Sequence, residues 1–199
     1  MFELLVPDSV CLLPMDAYYK DHGYLTAEEK KYHNFDHPEA FDFDLIKEHL
    51  QLLKLFSPVH RPVYSFIDCC RLQSTVEISP REIILVDGLL AFCDEDLQKE
   101  FDLCIYLDVK EDIRLQRVVK RDVSERGREP EAVIERFYRQ VKPMHDEFIE
   151  PVKQYADLII DGNDALPEDI ALQTMEYVFN YMNDHGLQMA APSDFPLHL

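Results

Sequence analysis

Glycine is scarce in this chain. Its 199 residues hold five, Gly23, Gly88, Gly127, Gly162 and Gly186, and none is followed by lysine. The pattern G-x-x-x-x-G-K-[ST], whose backbone N–H groups cradle nucleotide phosphates, is therefore absent. No apolar run approaches the ~18–20 residues of a bilayer-spanning helix. The opening Met1-Phe2-Glu3-Leu4-Leu5-Val6-Pro7-Asp8 lacks the basic start of a secretory signal. Neither a membrane partner nor export is expected. The cysteines, Cys11, Cys69, Cys70, Cys93 and Cys104, have no paired C-x-x-C spacing. That argues against a zinc site or a disulfide framework and for reduced, buried thiols in a cytoplasmic protein. Positive charge is also short. Lys and Arg number 20 against 39 Asp and Glu, a formal net charge of −19. Such a surface repels phosphate backbones, so no nucleic-acid partner is expected.

What is present points to one globular domain over residues 1–183. Apolar residues make up 47% of the chain, enough at this length for a sizeable core. Short apolar runs at 9–13, 83–86, 103–107 and 158–160 end in polar or turn residues, the pattern of buried parallel strands. Helical periods lie between them. Ile46, His49, Leu50 and Leu53 share a face, entered through Asp42 or Asp44 as a cap. Val133, Ile134, Phe137, Tyr138 and Val141 repeat at helical spacing, and so do Ala171, Met175, Val178, Phe179 and Met182, after Pro167 in a first-turn position. Alternating strands and helices predict an α/β fold with a doubly wound parallel sheet. Residues 61–78 instead alternate as a small antiparallel hairpin, and 184–199 read as a loose tail.

Several residues carry chemistry in this reading. Asp16 follows the first apolar run, and functional groups of parallel sheets gather beyond strand ends. A carboxylate there can accept the proton of an attacking hydroxyl. Asp87 ends Ile83-Ile84-Leu85-Val86, four apolar residues and then an acid, as a Mg²⁺-holding strand does. Asp36, in Asn34-Phe35-Asp36-His37-Pro38, can accept two hydrogen bonds from a diol. Tyr64 and Phe66 stand two apart on a presumed strand and share a face suited to stacking on a base. Six of the 20 cations crowd into the fifteen residues between 114 and 128, as Arg114, Arg117, Lys120, Arg121, Arg126 and Arg128.

The run Asn34-Phe35-Asp36-His37-Pro38-Glu39-Ala40-Phe41-Asp42, with Asp16-Ala17-Tyr18-Tyr19 before it and Pro62-Val63-Tyr64 after it, resembles the substrate side of the uridine kinases. Arg121-Asp122-Val123-Ser124-Glu125-Arg126-Gly127-Arg128, Lys142-Pro143-Met144-His145 and Tyr155-Ala156-Asp157-Leu158-Ile159-Ile160 also resemble that family. The resemblance covers roughly residues 9–162. It implies a P-loop NTPase-like fold that phosphorylates the 5′-hydroxyl of uridine or cytidine in pyrimidine salvage, using ATP or GTP with Mg²⁺. It places Asp16 by that hydroxyl, Tyr19 on the substrate side, Asp36 on the ribose, and Phe35, Tyr64 and Phe66 by the base. It makes 61–78 a substrate flap and 118–132 a lid whose Arg121, Arg126 and Arg128 close over phosphates. His37 would be structural. It leaves a homo-oligomer open.

The same resemblance marks what differs. The phosphate loop would lie before Met1, within a strand, loop and helix on the order of 25–30 residues. Residues 1–8 read as the end of that helix, and the sheet would lack its central first strand. Cys69 stands where relatives often carry a base-recognising His, Ser65 where they carry an Asp, and Val118 where a second Arg reaches the ribose. These positions bear on which nucleoside is taken, not on the fold. Two alternatives stand beside this reading: a non-catalytic relative that binds a nucleoside or a partner, and a same-fold kinase for another small alcohol.

Overall fold

A computed structural model describes residues 9–187; the expectations for 1–8 and 188–199 lie outside the described residues. The first strand, β1 (Val10–Pro14), pairs in parallel with β4 (Ile83–Asp87), from Val10 opposite Ile83 to Pro14 opposite Asp87. A second parallel pair joins β5 (Ile105–Asp108) to β6 (Leu158–Asp161). The ladder starts two residues later than the apolar run at Leu103, because Asp157 intervenes. Its carboxylate accepts from the Cys104 N–H, and its own N–H donates to the Cys104 carbonyl. Among the described residues the two parallel pairs are not hydrogen-bonded to each other, so the parallel strands stand in two ladders, in line with a sheet expected to lack its central first strand.

A third pair is antiparallel: β2 (Val59–Ser65) with β3 (Cys70–Ile78). Pro62 has no N–H to give the ladder, and the register shifts between Pro62 and Tyr64, a bulge that turns the tip of the hairpin. Cys69 adopts φ +52° in the tight turn that follows β2.

Helix α1 (Ala27–Tyr32) opens with reciprocal capping, in which Thr26 Oγ1 accepts from the Glu29 N–H while Glu29 accepts from the Thr26 N–H. Helix α2 (Phe43–Lys54) is capped by Asp42, whose carboxylate accepts from Leu45 N–H. Its Ile46, His49, Leu50 and Leu53 are all buried, as the spacing predicts, and pack with Leu13, Met15 and Tyr18 in the main core. The polar member is satisfied, because Tyr18 Oη lies 2.8 Å from His49 Nδ1. After the short α3 (Glu95–Gln98) comes α4 (Glu111–Arg126), which ends at Gly127 with φ +62°, a left-handed stop that glycine adopts without strain.

Helix α5 (Pro130–Arg136) runs on through wide turns at Phe137–Val141 and His145–Ile149, joined by helical Lys142–Met144. Pro143 lies between these wide turns and cannot give the N–H that a regular helix needs, which accounts for the widening. The buried face here is narrower than the apolar spacing predicts. Val133, Phe137 and Gln140 are buried, whereas Ile134 and Tyr138 are exposed. Helix α6 (Pro167–Asp184) begins at Pro167 and buries Ala171, with Met175, Val178 and Phe179 half-covered. The thiols also depart from expectation. All five are free, but only Cys11 and Cys104 are buried.

Candidate active site

The site forms where β1 and β4 end side by side. Pro14 and Asp87 are register partners, and beyond Pro14 the chain tightens into a 3₁₀ turn, Met15–Tyr18, with Asp16 in its first residues. Met15 is fully buried and lies against Gly88. A Cβ on Gly88 would sit 2.5 Å from Met15 Cβ, so only glycine lets the end of β4 approach this turn. The packing brings two carboxylates together. Asp16 is open to solvent, yet the surrounding protein desolvates it and Asp87 repels its charge. Both raise its pKa above the ordinary carboxylate value, against the pull of Arg121 and Arg126.

An aromatic wall rises beside Asp16. Tyr19 stacks on Tyr64 with centroids 5.0 Å apart, meets Phe66 edge-on at 6.1 Å, and packs on Phe41 at 4.1 Å. Tyr64 and Phe66 also meet each other at 5.4 Å, so both reach the same side of the hairpin although Phe66 lies one residue past β2. Burial, reinforced by Asp16 and Asp36, pushes the Tyr19 hydroxyl up, and burial does the same to Tyr64. These phenols stay neutral at physiological pH.

Phe35 stands apart from this wall. Its ring contacts are with His22 at 5.3 Å and His33 at 4.5 Å. His37 accepts from the Glu39 N–H and caps the short turn Pro38–Ala40, a structural role. The Cys69 thiol faces the Phe66 carbonyl at 3.8 Å, within its own turn.

Arg121, Arg126 and Arg128 converge on one carboxylate that sequence reasoning missed. Asp122 is wholly buried, and Arg121 (2.9 Å), Arg126 (3.2 Å) and Arg128 (2.7 Å) all pair with it. Arg126 also lies over the Phe66 ring, 4.8 Å from its centroid, which ties this cluster to the aromatic wall. A fourth guanidinium, Arg136 from the end of α5, stands 3.6 Å from Asp122 and 2.5 Å from Asp36. Arg71 of β3 was missed as well. It donates to the carbonyls of Tyr19 and Tyr18 and pairs with Asp42 at 3.0 Å, clamping the hairpin to the Asp16 turn. A charged helix reads as a solvated face in sequence, so only the spacing of Asp122 within Arg121–Arg128 could have flagged the hub.

Chemically, the arrangement offers a proton acceptor at Asp16, an aromatic face and a band of fixed positive charge. Asp87 fits a Mg²⁺ ion, which needs only one or two protein carboxylates beside phosphate and water oxygens. Among the described residues no cluster of three or more ligating side chains exists. Bound there, the ion would neutralise charge on a transferring phosphoryl group. A nucleoside triphosphate fits less well, since the 199 residues have no glycine-rich phosphate loop. Among the described residues, no helix is long and apolar enough to cross a membrane.

The chain is 42% identical to a uridine kinase of Erwinia tasmaniensis over 165 residues, covering 82% of this chain and 78% of that one. It is 36% identical over 182 residues to a uridine kinase of Clostridium novyi, covering 90% and 88%. Among solved structures, phosphoribulokinase from Rhodobacter spheroides superimposes with a TM-score of 0.61 at 13% identity, over 83% of this chain and 64% of that one, a likeness of fold. The pattern of the Phosphoribulokinase / Uridine kinase family matches residues 5–166. This chain, with its P-loop-kinase fold, belongs to the phosphoribulokinase / uridine kinase family of phosphotransferases.

Proposed function

We propose that the protein is a nucleoside kinase acting on the 5′-hydroxyl of uridine or cytidine in pyrimidine salvage, with ATP or GTP as donor and Mg²⁺ at Asp87. The observation that carries this reading is the meeting of Asp16 with the Tyr19–Tyr64–Phe66 wall. A flat base resting on that wall would leave its sugar toward Asp16 and Asp36. Asp16 takes the proton of the attacking hydroxyl, and its raised pKa suits a group that must hold and release a proton. Asp36 holds the ribose hydroxyls. Arg121, Arg126 and Arg128 offset the charge of the phosphoryl group, and the hairpin and the α4–α5 corner act as flap and lid that exclude water.

The donor loop is the missing part. The β1–β4 and β5–β6 ladders are separate, and we propose that a strand and phosphate loop encoded upstream of Met1 complete the sheet between them. The 199-residue protein should then bind pyrimidine nucleosides but release ADP only at background. The genomic DNA should carry an in-frame G-x-x-x-x-G-K-[ST] upstream, and the longer protein should phosphorylate uridine. Robust uridine-dependent ADP release by the 199-residue protein would refute the missing-loop argument. Phosphorylation of a different small alcohol, without pyrimidine nucleosides, would refute the substrate.

A further inference from the structure

A pocket of about 280 Å³ lies between β1 and the base of the β2–β3 hairpin. Val10, Leu12 and Val76 give it an apolar lining, while Arg61, Glu77 and Arg81 give it charge. Arg61 and Val76 are register partners across the hairpin, so their side chains stand on one face. The pocket shares no charged or aromatic residue with the candidate active site.

Its two guanidiniums are unusual in this chain. Asp and Glu number 39 against 20 Lys and Arg, so a cation here meets a carboxylate easily. Arg71, Arg121, Arg126, Arg128 and Arg136 all pair with one. Among the described residues, Arg61 and Arg81 do not. Each is half-buried and gives a single bond to the backbone: Arg61 Nη1 donates to the Pro62 carbonyl at 3.2 Å, and Arg81 Nη1 to the Pro80 carbonyl at 3.1 Å. Those bonds steady the side chains and leave most of each five-donor fork uncommitted. Both charges also reach inward. Arg61 acts electrostatically on the Tyr18 hydroxyl, and Arg81 acts on the thiol of Cys11, which lines the pocket. Glu77 opposes them, and it accepts from Ser79 Oγ at 3.3 Å. Two cations against one carboxylate still leave the wall positive in a chain of net charge −19. An anion approaching so acidic a protein needs such a local reversal of the field.

We propose that this pocket is a second ligand site, for a small organic oxyanion. Arg61 and Arg81 hold its phosphate or carboxylate head, whose oxygens match the guanidinium fork. Val10, Leu12 and Val76 cover an apolar body. The volume falls just below the ~300–1,000 Å³ of drug-sized sites, which suits a ligand smaller than a nucleotide. A bare ion would leave the apolar lining in water and would bind less well. The site does not depend on which alcohol the kinase phosphorylates.

The test is calorimetry on the full 199-residue chain with phenyl phosphate, benzoate and inorganic phosphate. Phenyl phosphate or benzoate should bind the parent roughly tenfold more tightly than inorganic phosphate does, and the better of the two identifies the head group. Arg61→Gln and Arg81→Gln should each weaken that anion roughly tenfold or more, as the loss of a charge-assisted bond does. Val76→Glu places a like charge on an exposed position of the wall and should weaken it as much. Arg128→Gln, in the arginine cluster around Asp122, should leave it unchanged. Unaltered affinity in both Arg61→Gln and Arg81→Gln would overturn the proposal. So would loss of binding in Arg128→Gln, which would put the anion at the Asp122 cluster. If neither arginine variant folds, Val76→Glu decides, and unaltered binding there overturns the site. A folded parent that binds neither organic anion at millimolar concentration, or binds inorganic phosphate equally well, overturns it directly.

Discussion

Replacing Asp122 by Asn removes one negative charge from the centre of the arginine cluster and almost no volume. The parent carboxylate is wholly buried, with Arg121, Arg126 and Arg128 at 2.9, 3.2 and 2.7 Å and Arg136 at 3.6 Å. Asparagine would offer one acceptor oxygen where the carboxylate has two, and its amide hydrogens would face guanidinium donors. Breaking a buried charge network costs about 3–5 kcal/mol when the remaining charge is trapped. The arginines here are not all trapped. Arg121 and Arg128 are 44% and 35% exposed and can turn to water, while Arg126, at 18%, cannot easily do so. That places the expected loss near the lower bound, about 3 kcal/mol. With a urea dependence of about 2 kcal/mol per molar, the unfolding midpoint should fall by roughly 1.5 M. A shift under about 0.3 M would mean that Asp122 does not organise these arginines.

Three further outcomes follow from the geometry. Gly88→Ala drives a Cβ into Met15 Cβ, which is not the free end of a side chain. The strain should cost about 1–3 kcal/mol and lower the melting temperature by roughly 2–12 °C at this size; an unchanged melting curve would contradict the close approach. His33, His49 and His145 are each pushed below the ordinary His value of 6.5, chiefly by burial. The unfolded chain binds their protons more readily, so stability is full above pH 6.5 and falls as pH drops through the lowered values. Asp16, shifted upward, works in the opposite sense at more acid pH. Urea midpoints should therefore decline between pH 7.5 and 5.5, and His49→Gln should flatten the slope; a flat parent profile would contradict it. In a protein completed by its phosphate loop, Asp16→Asn should slow uridine phosphorylation by roughly 10²–10⁴-fold, with uridine affinity held within about twofold; an unchanged rate would make Asp16 structural.

The parts of the fold that sequence disclosed are those with local signals. Continuous branched runs ending in turn residues marked β1, β4, β5 and β6, although only β1 is largely buried and Leu107 and Ile159 of the β5–β6 pair are exposed. The cap was legible as Asp42 or Asp44, of which the structure uses Asp42, and Ile46, His49, Leu50 and Leu53 were legible as one face, because helix periodicity is local. Asp16 and Asp87 stood out at strand ends. The hidden parts are long-range or charged. Asp36 and Arg136 meet across 100 residues without any periodic relation. Asp122 is the buried residue of α4, whose surroundings in sequence read as a solvated helix. Arg71 looked like an ordinary hairpin residue until its bonds to Tyr18, Tyr19 and Asp42 were seen. The wide turns of α5 had a signal in Pro143 that family likeness obscured. Phe35 is the reverse case, a residue singled out by motif whose ring packs on His22 and His33 instead of joining the wall.

The central claim, a nucleoside pocket built on Asp36 beside the aromatic wall, is tested most directly by titrating uridine into the folded protein and into Asp36→Ala. Loss of a charge-assisted contact should cost roughly 1.5–3 kcal/mol, or about one to two decades of affinity. Uridine binding in the parent with that loss in the variant is the predicted result. Equal binding by the two proteins, or a folded parent that binds no pyrimidine nucleoside, would contradict the account.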